Sequence, residues 1–346
     1  MTLDCLDPVT DPRWAALVAR RGGGLFHSPL WLGAVKDTYG FELRAAVILD
    51  HVGEARAGIP YAIVQGPYAT RLVAAPFCDS CDPLVESLDQ WSALFRVLES
   101  HGIPIHLRCV ENNPNSNELI SVTKRARWHS VAISETNDDQ WSRLHPAVQR
   151  GVRKAKRAGV SIRPISIGPD LVAFHKLHVV LRKSKYQLLA QPLSFFEAIA
   201  HRFDAMGNWH ALGAWHNDRL IAGTIYLRWG NALYYKFNAS SLDDLDVRPN
   251  NLLAWHGIEL ARELGCGRLD LGPSDDDQPG LIRFKQQFGA SERELRFLRF
   301  EPLGWLDPTS QENPNMLSKL TELLTRSEVP DAISAEAGDQ LYRYFA

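Results

Sequence analysis

Residues 209–237 read WHALGAWHNDRLIAGTIYLRWGNALYYKF, and the stretch resolves into three short strands. Trp209–Trp215 runs through the turn residues Asn217-Asp218 into Leu220–Trp229, and Gly230-Asn231 turns the chain into Ala232–Phe237. Asn, Asp and Gly accept the positive φ that tight hairpin turns require, so the stretch is an antiparallel meander. Upstream, Val160–Ser166 reads as a β-branched strand between Gly159 and Pro169. Leu171–Lys183 and Leu193–Asp204 carry apolar residues at the three- and four-residue spacing of helices. Downstream, Asn238–Arg248 reads as a loop, followed by a helix that Asn250 or Asn251 can cap. Leu253, Gly257, Leu260, Ala261 and Leu264 form its inner stripe, and Gly265 is its natural stop. Arg268–Gly272 is a strand, Gly280–Phe288 a short helix and Glu294–Phe300 a last strand. The order is β-α-α-β-β-β-α-β-α-β.

At 346 residues the chain exceeds the roughly 250–300 residues at which one hydrophobic core stops growing, so two domains are expected. The first half repeats the order less clearly. Leu30–Tyr39 and Leu88–Ser100 read as helices, Leu43–Leu49, Ala57–Val64, Ile103–Val110 and Trp128–Ser134 as strands, and 112–117 (NNPNSN) as a turn. The expected division is 1–150, 151–301 and a tail 302–346 whose helix, Asn315–Arg326, packs back on the first domain. The fold class is α/β, with mixed sheets. With 45% apolar and 23% charged residues, disorder and collagen-like repeats are excluded. No apolar stretch approaches the ~20 residues that span a bilayer. The acidic start lacks the pattern of a signal peptide, and five scattered cysteines argue for a reducing cytoplasm. The Cys78-Asp-Ser-Cys81 pair has no partner motif for a zinc site, so no metal is expected and ordinary loop cysteines are the favoured reading. A net charge of −2 argues against DNA as a partner but leaves room for a local basic patch.

The chemistry concentrates in Asp270–Gly289, DLGPSDDDQPGLIRFKQQFG, where a strand ends, a polar loop follows and a helix opens. Ligands of open α/β sheets bind beyond the carboxyl ends of strands, which is where Asp270 and Ser274 fall. Lys285, on the next helix, can stabilise an oxyanion or simply face solvent. Asp275-Asp276-Asp277 is either a solvated loop or a site for the ammonium of an incoming amine. Arg150, Arg153, Lys154 and Arg157 share a helical face that suits the phosphates of a nucleic acid, or is merely solvated.

The element order is that of the GNAT acyltransferase fold, and several blocks resemble the FemAB-like branch of that superfamily, in which two GNAT-like domains are fused. RPNNLLAWHGIELARELG (248–265) followed by DLGPS…GLIRFKQQFGA is the most specific. APFCDSCDPL (75–84), RGVRKAKRAGV (150–160), FHKLHVVLRKSKYQLLAQPLSFF (174–196) and HSPLW (27–31) agree with it, so the resemblance spans about 25–300. The long coiled-coil arm of the larger members is missing. The resemblance implies two tandem GNAT-like domains and an N-acyltransferase that moves an aminoacyl group, with aminoacyl-tRNA as donor partner, to the amine of a peptide, cell-wall precursor or natural product. No tightly bound cofactor is implied. Lys285 and Asp270 are the implied catalytic pair. Arg182, Lys185, Tyr186, Gln191, Tyr235, Asn238, Arg248, Asn250, Ser274, Phe284, Phe77 and Asp79 are the implied substrate contacts. Arg150, Arg153, Lys154 and Arg157 are the implied tRNA or phosphate contacts.

Acyl-CoA or an acyl carrier protein is the alternative donor. A CoA pyrophosphate needs glycine amides at the start of the helix after the meander, and Arg248–Leu253 (RPNNLL) has no glycine and a proline without an N–H. A non-catalytic peptide or nucleotide-sugar binding module is the reading outside enzymology.

Overall fold

The computed structural model describes residues 2–110, 120–305 and 316–346. The turn expected at 112–117 and the first residue of the helix expected from Asn315 lie outside the described residues. The strands are β1 (Thr2–Leu6), β2 (Leu43–Leu49), β3 (Ala55–Gln65), β4 (Thr70–Val73), β5 (Ile105–Cys109), β6 (Ile120–Ala132), β7 (Ser161–Pro164), β8 (Trp209–His216), β9 (Arg219–Trp229), β10 (Ala232–Ser240), β11 (Arg268–Ser274) and β12 (Ser291–Phe300). The helices are α1 (Pro12–Arg20), α2 (Pro29–Tyr39), α3 (Leu88–Glu99), α4 (Asn137–Ser142), α5 (Pro146–Arg157), α6 (Pro169–Tyr186), α7 (Leu193–Asp204), α8 (Pro249–Glu263), α9 (Pro279–Gln287), α10 (Met316–Leu324) and α11 (Asp331–Leu341). No helix among the described residues is long and apolar enough to cross a membrane.

The chain forms two compact units, divided otherwise than at 150/151. Unit 1 comprises Met1–Arg127, Arg293–Met316 and Arg343–Ala346, and unit 2 comprises Trp128–Glu292 and Leu317–Tyr342. In unit 1 the strands run in the order β1-β2-β3-β4-β5-β12, with the first part of β6 beyond β12. Trp91, Leu94, Phe95 and Leu98 of α3, at helical spacing, pack on Ile59, Tyr61, Leu72 and Leu107 of that sheet. β12 belongs here because it pairs antiparallel with β5, Leu298 opposite Leu107, and buries Leu298 and Phe300 in the same core. Sequence order had placed this strand with the second domain.

Unit 2 is built on the order β11-β10-β9-β8-β7, with the last residues of β6 beside β11. The basic segment that carries Arg150, Arg153, Lys154 and Arg157 is a helix packed on one face. Val148, Gly151, Val152 and Ala155 of α5 are buried at three- and four-residue spacing, and its cations occupy the opposite face. The tail also differs from expectation. Helices α10 and α11 belong to unit 2, where Lys183 pairs with Asp331 at 2.8 Å, and only Arg343–Ala346 joins unit 1. In unit 1, Arg71 takes the carbonyls of Tyr344 and Ala346.

The inner face of α6 carries two histidines in an aromatic cluster with Phe174, Phe196 and Phe237. His178 Nε2 bonds Gln191 Oε1 at 2.7 Å, and burial pulls its pKa down from 6.5 to about 3. The folded state therefore refuses a proton that the unfolded chain accepts below pH 6.5. That stability is complete above pH 6.5 and is lost as pH falls towards 3. At pH 5 the loss from this residue is roughly 2 kcal/mol, readable as a lower urea midpoint than at pH 7.5. His178→Gln should remove that part of the slope.

Candidate active site

β10 and β11 pair in parallel through Ala232–Arg268, Leu233–Leu269 and Tyr234–Asp270, and both strands run on past the last of these pairs. A cleft of about 580 Å³ opens where they part. Tyr235, Asn238 and Ser240 of β10 and Leu271 of β11 line its floor, the first residues of α8 and the length of α9 its sides, and the last turn of α6 its rim. Leu242, Leu245 and Leu281 give it an exposed apolar lip.

Lys285 reaches the floor from α9. It is only 5% exposed, and its ammonium donates to the carbonyls of Gly272 (3.0 Å) and Pro273 (2.7 Å). Gly272, two residues before the end of β11, has φ +65°, a conformation that favours glycine. A buried ammonium held on two carbonyls is a fixed positive charge in a water-poor pocket, the arrangement that stabilises an oxyanion.

The polar floor is held by a chain of amides. Asn238 Nδ2 lies 3.0 Å from Thr224 Oγ1 and 3.2 Å from Asn250 Oδ1, and Asn250 Nδ2 donates to Ser240 Oγ at 3.2 Å. This work for Asn250 replaces the capping role expected of it. No side chain caps α8 or α9, so both helices present uncapped first turns to the cleft. Burial pushes the Tyr235 phenol up, so the hydroxyl is a hydrogen-bonding group and not a base.

A second recess of about 470 Å³ adjoins the cleft and shares Arg248, Asn251, Gly280 and Phe284 with it. Arg150 and Lys154 of α5 and Arg283 of α9 add to Arg248, and none of these four makes an ion pair among the described residues. Arg248 has φ +60°, a left-handed backbone that costs a non-glycine residue of order 1–3 kcal/mol. Its side chain lines both the cleft and the recess. Arg248→Gly is therefore expected to leave stability unchanged or raise it by up to about 1 kcal/mol while raising the donor KM several-fold. Denaturant titration and initial rates separate the two effects.

Of the residues expected from sequence, Lys185, Tyr186, Tyr235, Asn238, Arg248, Asn250, Phe284 and Lys285 come together in the cleft. Arg150 and Lys154 line the recess, whereas Arg153 and Arg157 do not, and Arg153 sits over the Trp141 ring at 5.4 Å. Asp270 does not line the cleft. Its carboxylate is buried behind β11, accepting from Trp128 Nε1 (3.0 Å) and the Gly272 amide (2.9 Å). Strand alternation explains this, since Leu271 takes the cleft side. The expected proton acceptor is thus a brace for the turn below Lys285. Ser274 is buried outside the lining, its hydroxyl without a partner among the described residues. Arg182 Nε is spent on the Leu189 carbonyl and Gln191 on the two histidines of α6, so neither is a cleft residue. Phe77 and Asp79 belong to unit 1, where Phe77 stacks near Tyr39. Sequence reading missed Asn251, Arg283 and Gln287. The helical spacing of Gly280, Arg283, Phe284 and Gln287 on one face of the quoted block was the available signal.

Residues 142–286 match the family model of the acetyltransferase (GNAT) domain. Among solved structures, FemX is similar with a TM-score of 0.67 and 15% identity, covering 86% of this chain and 97% of its own. L-PGS from Bacillus licheniformis follows with a TM-score of 0.56 and 11% identity, over 92% of this chain and 98% of its own. A tandem GNAT protein from the clavulanic acid biosynthesis pathway has a TM-score of 0.53 and 15% identity, over 88% and 100%. At these identities the likeness is one of fold. No curated protein matches the sequence.

Proposed function

We propose that this chain, an acyltransferase of the GNAT superfamily with a FemAB-like tandem fold, moves an aminoacyl group from aminoacyl-tRNA to the amine of a small acceptor. The observation that carries the reading is the junction of two features: a cleft floored by the buried ammonium of Lys285, and beside it a recess with four cations that make no ion pair among the described residues. Side-chain cations spaced along a groove suit a chain of phosphates better than one pyrophosphate. The start of α8 supports the same choice, because Pro249 has no N–H and the Asn251 amide already bonds the Arg248 carbonyl at 3.2 Å. FemX and L-PGS share the fold, and that likeness adds to the reading without carrying it.

The chemistry asks little of the protein beyond position and charge. The neutral amine of the acceptor attacks the ester carbonyl carbon, and a C–N bond forms as the carbonyl electrons move onto oxygen. Lys285 faces that developing oxyanion. Collapse breaks the C–O bond to the ribose, and the proton released by nitrogen passes to the leaving ribose oxygen. An amide and free tRNA result. Mixing the protein with tRNA carrying a labelled amino acid and an amine should give labelled amide, and prior RNase digestion of the donor should abolish it. Transfer that survives RNase, or that proceeds only from an acyl thioester, assigns the donor to the other class.

A further inference from the structure

The charge of the cleft is one-sided. Arg150, Lys154, Lys185, Arg248, Arg283 and Lys285 line the cleft and its recess, and among the described lining residues there is no carboxylate. Neighbouring acids are placed elsewhere. Asp270 is bonded to Trp128 and the Gly272 amide behind β11, Asp244 is bonded to Arg219 at 2.8 Å, Asp275 is half-buried outside the lining, and Asp243, Asp246, Asp276 and Asp277 are exposed outside it. A polyanionic donor in the recess answers Arg150, Lys154, Arg248 and Arg283, which stand there together. Lys185 is left over on the α6 rim, its ammonium 5.2 Å from the centre of the Tyr186 ring and in no ion pair among the described residues.

We infer that the acceptor amine belongs to a carboxylate-bearing compound, an acidic amino acid or peptide, whose carboxylate is taken by Lys185 at the rim of the cleft floored by Lys285. This rests on the acyl-transfer reading of the same cleft. The inference also answers how the nucleophile becomes neutral once Asp270 is occupied as a brace. An ammonium brought beside the buried ammonium of Lys285 releases its proton more readily, so the amine sheds one proton to solvent on binding. Its lone pair then forms the C–N bond, and the remaining surplus N–H proton leaves with the ribose oxygen. A carboxylate on the same molecule supplies the attraction that the ammonium lacks in this field. An acceptor bearing a further cation meets like charge at Lys185.

Binding to the full chain without donor tests this. The probes are the C-terminal amides of alanyl-glutamate, alanyl-glutamine and alanyl-lysine, measured by calorimetry. The glutamate compound is expected to bind roughly tenfold or more tighter than the glutamine one, the value of a charge-assisted hydrogen bond, with the lysine compound weakest. Lys185→Glu, an exposed substitution, should reverse the order of the glutamate and lysine compounds. Equal affinities, tightest binding of the lysine compound by the wild type, or no binding of any of the three overturns the inference. These arms need no donor, so their outcome is separate from that of the tRNA reading. Selective binding without transfer from any donor sinks the acyl-transfer reading, whereas transfer to all three amines alike sinks the inference alone.

Discussion

Lys285→Met is expected to lower kcat by roughly a hundredfold or more, with little change in the KM of either substrate. Methionine fills nearly the same channel, so the helix α9 stays packed while the charge disappears. What is lost is stabilisation that appears only as the carbonyl oxygen gathers charge, which is why the effect falls on kcat. The carbonyls of Gly272 and Pro273 also lose their donor, which costs about 1–3 kcal/mol of stability. Rates of amide formation, paired with urea unfolding of the same preparation, keep the two losses apart. A variant that folds and turns over at the wild-type rate removes Lys285 from the chemistry.

The second large effect is structural. At Gly257, halfway along α8, a Cβ would overlap the hydroxyl and ring of Tyr226, whose oxygen donates to the Leu253 carbonyl at 2.8 Å. The helix lies so close to β9 that only glycine fits at the contact, and α8 must keep that seat for its first turn to border the cleft. Gly257→Val is expected to destabilise the protein by about 3 kcal/mol through overpacking and a lost hydrogen bond. Pairing it with Tyr226→Ala should recover part of the loss, because the two residues compete for one volume. Chemical denaturation of the four species of that cycle measures the coupling, and additive losses would show that the two do not share space.

Much of this architecture was legible in the sequence where local signals agree with tertiary demand. β2 at Leu43–Leu49 and α7 at Leu193–Asp204 stand as read, and so does the meander except that β10 runs three residues into the expected loop, to Ser240, since their turns and periodicities are self-contained. β1, α1 and β4 were not read, although Asp11 and Pro12 offer a cap and a first turn for α1. β4, with four residues, is too short to show alternation. The allegiance of β12 to unit 1 depends on its pairing with β5, and strand pairing leaves no local trace. The cleft shows the same limit. Lys285 was found because its block is distinctive. The direction of Asp270, one residue from the cleft-facing Leu271, is decided by Trp128, 142 positions away. Arg182 and Gln191 are implied as substrate contacts by the family resemblance, yet α6 uses both to fasten its own end.

The most direct measurement is the stoichiometry of products when charged tRNA, an amine and the intact protein are mixed. The account predicts one amide formed for each tRNA released, with no free amino acid beyond the uncatalysed rate. Deacylation without amide would make the cleft a hydrolase site, and binding without turnover of any donor would make the chain a binding module. Either result would contradict the reading of Lys285 and its cation-lined cleft as an acyl-transfer centre.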